Sequence, residues 1–201
     1  MLNEKPVVLL DVDDVVANCS GAMSDIYYAK TGLTVDMTKF KSWNFFDNIA
    51  HPDYPGIVDH IDSQMRMSGF CMELQPFDGA VDGVMRLKEI AEVFFVTSPY
   101  EGPNWHHERE NWLRHHFKVG RDRVLQASAK FLVRGELFID DKPESCIAWL
   151  KHMQTGNAFI WDRPYNRNIE GSWLPRFHDW DQVYAYVKFL PMIDLSREEE
   201  E

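Results

Sequence analysis

Cysteine is scarce in this chain, and cations are outnumbered. Three cysteines, Cys19, Cys71 and Cys146, lie far apart with no C-x-x-C spacing, a pattern that suggests neither a disulfide framework nor a zinc knuckle. Lysine and arginine number 21 against 32 aspartates and glutamates, a formal net charge of −11. Such a surface repels phosphate backbones, so no nucleic-acid polymer is expected as a partner. A small anionic substrate is not excluded, because a metal ion and a few local donors reverse the field within one cleft. No apolar run approaches the ~20 residues of a membrane span. The apolar stretch near the start is too short for a signal peptide and ends in acids. No internal repeat or low-complexity linker stands out. The expectation is a reduced, cytoplasmic protein with no membrane partner, and there is room for a homodimer.

What the chain does have is core material. Of its 201 residues 45% are apolar and 13% aromatic, enough to bury a real core. Four short apolar runs stand out: VVLL at 7–10, VFFV at 93–96, LFI at 137–139 and AFIW at 158–161, with RVLQ at 123–126 as a shorter fifth. They do not alternate, which is the pattern of strands buried on both faces. Helical patterns separate them: DGAVDGVMRLKEIA with Asp78 as N-cap, NWHHERENWLRHHF capped by Asn104, PESCIAWLKH, and DWDQVYAYVKFL capped by Asp179. Strand–helix alternation predicts an α/β fold, a Rossmann-like parallel sheet with helices on both faces. Residues 18–76 break the rhythm with aromatics and turn signals at His51-Pro52 and Tyr54-Pro55-Gly56. They read as a small, mostly helical cap inserted after the first strand, leaving 1–17 and 77–201 as the core domain. The final SREEEE reads as a solvated run.

The chemistry gathers where the apolar runs end. VVLL leads into Asp11, Asp13 and Asp14, VFFV into Thr97 and Ser98, and LFI into Asp140 and Asp141. In a parallel sheet these carboxyl ends share one edge, where open α/β sheets bind ligands. Carboxylates this close repel one another unless a cation sits among them. An all-oxygen donor set without His or Cys suits a hard divalent ion, Mg²⁺ best, because Mg²⁺ keeps waters and shares itself with substrate phosphate. A carboxylate can also attack phosphorus, while a second one two residues on exchanges protons with the leaving alcohol and the attacking water. Thr97 or Ser98 and a lysine would then hold the equatorial phosphoryl oxygens.

With Lys130 between VTSP and LFIDDK, this pattern resembles the haloacid dehalogenase-like phosphatases. In particular GFCMELQPFDGAVDGVMRLKE, VFFVTSPY, NWLRHHF and FHDWDQV resemble the 5′(3′)-deoxyribonucleotidase branch. The resemblance implies Asp11 as nucleophile, Asp13 as acid/base, and Thr97, Ser98 and Lys130 as phosphate ligands. It implies Mg²⁺ on Asp11, the main-chain carbonyl of Asp13, and Asp141 or Asp140. The implied substrate is a nucleoside monophosphate under the helical cap. The chain departs from the family pattern in three places. Asp14 stands where Gly is usual, Ser128-Ala129 where Arg-Asp often precedes the lysine, and Cys19 where an aromatic contacts substrate.

Plainer readings stand beside these. Thr97-Ser98 before Pro99 fits a simple turn, and either Asp140 or Asp141 fits an N-cap. Trp43, Phe45 and Phe46 suit stacking on a base and equally suit the core of the insertion. The histidines at 106, 107, 115 and 116 read as surface residues, since helical neighbours point about 100° apart. Arg163 or Arg167, beyond the fourth run, would be within reach of the cleft. The rival functions are a phosphatase for another small metabolite, such as a sugar phosphate, and a catalytically silent module that binds a phosphorylated ligand.

Overall fold

The structure, a computed structural model, describes residues 5–153, 155–171 and 173–190. Among these, six strands form one parallel sheet in the order β3-β2-β1-β4-β5-β6. They are β1 (Val7–Leu10), β2 (Glu92–Thr97), β3 (Val124–Gln126), β4 (Leu137–Asp140), β5 (Asn157–Trp161) and β6 (Arg176–Phe177). The five apolar runs of the sequence are β1 to β5, lengthened or trimmed by a residue at some ends. The two-residue β6 is too short to show as a run and was not expected. It exists because Ile160 and Trp161 of β5 offer it a parallel edge.

The non-alternating runs follow from burial on both faces. Val8, Leu10, Val93, Phe95, Leu137 and Ile139 pack into one core cluster. Their neighbours Leu9, Val96 and Phe138 point into another. The first face is covered by α4 (Ala80–Ile90), α5 (Trp105–Phe117) and α7 (Trp180–Lys188), and the second by α6 (Pro143–His152). Asp179 Oδ1 accepts from the Gln182 amide at the start of α7, as expected. Asp78 does not cap α4. Gly79, at φ +75°, turns the chain so that the helix starts at Ala80 without a side-chain cap. Asn104 precedes α5 but makes no cap either, and its side-chain amide donates to Ser68 Oγ instead. The SREEEE run lies outside the described residues.

Between β1 and α4 lie α1 (Cys19–Thr31), α2 (Ile57–Met65) and α3 (Phe70–Glu73), with single 3₁₀ turns at Met37–Lys39 and Phe45–Asn48. Helix α1 has both end signals: Asn18 Oδ1 accepts from the Gly21 amide, and Gly32 closes it in the left-handed region at φ +71°. This segment supplies ten members of a third apolar cluster, which Trp105 and Tyr165 join from outside it. It is tied to α5 and to the loop between β2 and α5. Arg66 Nη1 donates to the Glu101 carbonyl at 2.7 Å, the Gly69 amide to Glu108 Oε1 at 2.7 Å, and the Tyr100 hydroxyl to Asp62. Those ties hold the helical segment against the carboxyl edge of the sheet.

Candidate active site

Strand order reverses at β1, with β2 and β3 on one side and β4 to β6 on the other. Such a switch point opens a crevice at the strands' carboxyl ends. Register then sets which residues meet there. Leu10 lies beside Ile139, and the Asp11 amide donates to the Ile139 carbonyl at 2.9 Å, which brings Asp11 next to Asp140. Carboxylate oxygens of Asp11, Asp140 and Asp141 all lie within 4.8 Å of one another, and all three residues are buried.

One cation is built into this group. Lys130 Nζ is 2.6 Å from Asp11 Oδ1 and 2.8 Å from Asp140 Oδ2, and it is itself buried. Burial works against the charged ammonium, but the two carboxylates outweigh it and raise its pKa. The lysine expected from the sequence to face phosphate therefore bridges two of the aspartates. Even so, three formal negative charges meet one positive charge. Burial, reinforced by the charges of Asp140 and Asp13 and opposed by Lys130, raises the Asp11 pKa from 3.8 to about 7. Asp141 is likewise pushed well up by burial, then by Asp140, Asp11 and Asp14.

An oxygen-only, over-charged and desolvated donor set fits a hard divalent cation, which Asp11, Asp140 and Asp141 would hold. The raised pKa values have a thermodynamic consequence. Between about pH 4 and 7 the folded chain retains protons on these acids that the unfolded chain has released, so its stability falls as pH rises through that window. A divalent cation replaces those protons. The melting temperature without cation is thus expected to be higher near pH 5 than near pH 8. The stabilisation from added Mg²⁺ should be larger at pH 8. Scanning calorimetry at the two pH values, with Mg²⁺ and with EDTA, checks both.

Asp13 has a different partner. Its Oδ1 accepts from Arg109 Nη2 at 2.5 Å, so its carboxylate stands apart from the acidic group. Thr97 ends β2 and is 1% exposed, and its hydroxyl has no hydrogen-bond partner, an uncommon state for a buried polar group. Ser98, beside it, is exposed and lines the cleft.

Asp14 is not a further ligand. It sits in the left-handed region at φ +55°, a conformation Asp tolerates better than most residues. Its Oδ1 accepts from the Ser20 amide at the start of α1. The Tyr165 hydroxyl lies 2.6 Å from Asp141 Oδ2 and 3.1 Å from Asp14 Oδ2. One hydroxyl proton serves one of these carboxylates at a time. Burial raises the pKa of both acids. Tyr165→Phe is expected to destabilise the fold by about 1–3 kcal/mol, measured by urea denaturation.

The cleft has a volume of 440 Å³, in the range of small-molecule pockets. Asp11, Asp13, Asp140, Asp141 and Lys130 form its polar floor, and Trp43, Phe45, Phe40, Met65 and Trp105 its apolar wall. Phe45 is buried in the insertion's own cluster and also lines the cleft. Trp43 is 38% exposed, and Lys142 Nζ sits 3.6 Å from its ring centroid.

Neither distal arginine lines this cleft. Arg163 Nε donates to the Asp14 carbonyl, and Arg167 pairs with Asp162. The histidines at 106, 107 and 115 are exposed, and His116 leans on Trp112. No sequence pattern points to Arg109 or Tyr165 as site residues. For Lys142 a signal existed, because it directly follows Asp141.

The family model described as 5′ nucleotidase, deoxy (pyrimidine), cytosolic type C protein matches residues 5–191. A Bordetella pertussis protein bearing a provisional 5′(3′)-deoxyribonucleotidase name is 29% identical over 193 residues, covering 89% of this chain and 95% of that one. The human 5′(3′)-deoxyribonucleotidase, cytosolic type, is 32% identical over 94 residues, covering 44% of this chain and 46% of that one. Among solved structures, a Deinococcus radiodurans HAD-family hydrolase with bound phosphate and sodium superposes with a TM-score of 0.57 at 13% identity. It covers 92% of this chain and 97% of that one. At that identity the likeness is one of fold.

Proposed function

Because the chain belongs to the 5′-nucleotidase, deoxy (pyrimidine), cytosolic type C family, we propose that it is a Mg²⁺-dependent phosphomonoesterase that hydrolyses nucleoside monophosphates, deoxyribonucleotides above all, through an aspartyl-phosphate. The observation that carries this reading is the placement of Asp11. A buried carboxylate paired with Lys130 lies on the floor of a 440 Å³ cleft, and the same floor carries a second carboxylate, Asp13.

Asp11 forms the bond to phosphorus while the bond from phosphorus to the nucleoside oxygen breaks, and Asp13 gives that oxygen its proton. Asp13 then takes a proton from the water that attacks the aspartyl-phosphate, and the bond between phosphorus and the Asp11 oxygen breaks, which frees phosphate and restores the carboxylate. Burial strips Asp11 of solvent, which leaves its lone pairs unshielded by water. Ser98, which lines the cleft, would supply a donor for the phosphoryl oxygens, where charge accumulates, and the unpartnered hydroxyl of its buried neighbour Thr97, itself outside the lining, is a second candidate donor. Lys130 holds Asp11 and Asp140 in place and is near enough to share its protons with phosphate. When bound, Mg²⁺ neutralises the acidic group and the phosphate together.

In this reading residues 18–76 are a cap that shuts water out, with Trp43 and Phe45 against the base. The cleft's size suits a single nucleotide rather than a polymer. The family's cytosolic type points to work on small molecules in the cytoplasm; among the described residues no helix is long and apolar enough to cross a membrane.

The test is phosphate release from deoxy- and ribonucleoside 5′- and 3′-monophosphates and from sugar phosphates, with Mg²⁺ and with EDTA. Mg²⁺-dependent release favouring deoxynucleotides is expected. Release favouring sugar phosphates keeps the acidic site and discards the nucleotide pocket, and no release from any of them overturns both.

A further inference from the structure

We propose that Arg109 is a positioning residue that presents one chosen oxygen of Asp13 to the leaving group, an inference that rests on the acid/base role given to Asp13 above. Arg109 projects from α5 and is 0% exposed. It does not line the cleft, so it acts only through Asp13. Its guanidinium sits 5.6 Å from the ring centroids of both Trp105 and Trp112, and such contacts hold a cation over aromatic faces. Nη2 donates to Asp13 Oδ1, whereas Nε and Nη1 are buried with no partner.

Stability does not account for this arrangement. Burying a guanidinium with two unpaired N–H groups is unfavourable, and an apolar side chain of similar volume commonly serves a core as well or better. What the arginine achieves is asymmetry. Oδ1 of Asp13 is engaged from within the protein, so Oδ2 is the oxygen left to carry the exchangeable proton. As an Asp11 oxygen bonds to phosphorus and the leaving oxygen departs, the proton on Asp13 Oδ2 passes to that oxygen. Misplacing the acid by an ångström or less is enough to slow such a transfer.

The test compares wild type, Arg109→Met and Arg109→Lys on phenyl phosphate and p-nitrophenyl phosphate with Mg²⁺, with melting temperatures as a control. Nitrophenolate leaves without a proton and phenolate leaves poorly without one. Arg109→Met is therefore expected to lower kcat/KM on phenyl phosphate about ten- to a hundredfold, and on p-nitrophenyl phosphate no more than about threefold. Arg109→Lys, which keeps a donor without the planar fork, should recover part of the phenyl phosphate rate. Equal losses on both substrates, or a loss wholly in KM, would overturn the proposal. If Arg109→Met does not fold, the same inequality must appear, smaller, in Arg109→Lys. A wild type that cleaves aryl phosphates but no nucleotide removes the nucleotide reading and leaves this one standing. A wild type that cleaves neither removes both.

Discussion

Asp11→Asn is expected to lower phosphate release by about four orders of magnitude or more, the scale on which an enzyme loses its nucleophile, while leaving the fold intact. The substitution keeps the shape of the side chain and removes the attacking oxygen's charge. Lys130 keeps its 2.8 Å contact with Asp140, so no buried cation is stranded. Two carboxylates then share the space of three, and their mutual repulsion falls. The melting temperature without Mg²⁺ should hold steady or rise, and Mg²⁺ should stabilise the variant less than it does the wild type. Loss of activity with retained stability separates a chemical role from a structural one. A parallel loss of both would mean that Asp11 chiefly supports the fold.

Lys130→Met should have the opposite signature, destabilising the protein and inactivating it together. Without the ammonium, Asp11, Asp140 and Asp141 are left buried with no cation among them. Removing one partner from a buried ion pair costs about 3–5 kcal/mol, and in a domain of this size each kcal/mol lowers Tm by about 2–4 °C. The variant is thus expected to melt on the order of 10 °C lower near pH 8. Near pH 5 the deficit should shrink, because Asp11, already raised to about 7 with the lysine present, then takes up a proton. Added Mg²⁺ should restore part of the loss. Thermal melts at the two pH values with and without Mg²⁺ check this. A deficit independent of both would mean that the ammonium does not balance the carboxylates.

The strand ends were legible in the sequence because a sheet covered on both faces writes each strand as an unbroken apolar run. The first polar residue after a run then marks the carboxyl edge. Asp11, Thr97 and Asp140 follow from that rule, and the parallel order brings them together. What the sequence hides is long-range pairing. Arg109 lies in the charged, histidine-rich stretch WHHERE, which looks like a solvated helix face. Only the tertiary fold brings it to Asp13, 96 residues away. Tyr165 reaches Asp14 across 151 residues with no local pattern to announce it. The start of α4 differs from the sequence expectation for a local reason, because Gly79 turns left-handed and the helix begins beyond Asp78. Asp14 illustrates the limit from the other side. It is a third acid in the motif, but its carboxylate is spent on the Ser20 amide and Tyr165.

The central claim is that Asp11 carries the phosphoryl group between substrate and water. It is tested most directly by mixing the protein with a deoxynucleoside monophosphate and Mg²⁺, quenching in acid during turnover, and mapping the peptides by mass spectrometry. One phosphoryl group on the peptide containing Asp11, absent from Asp11→Asn, is the predicted result. Full turnover with no phosphoryl group on that peptide, or a group on another side chain, would contradict the account.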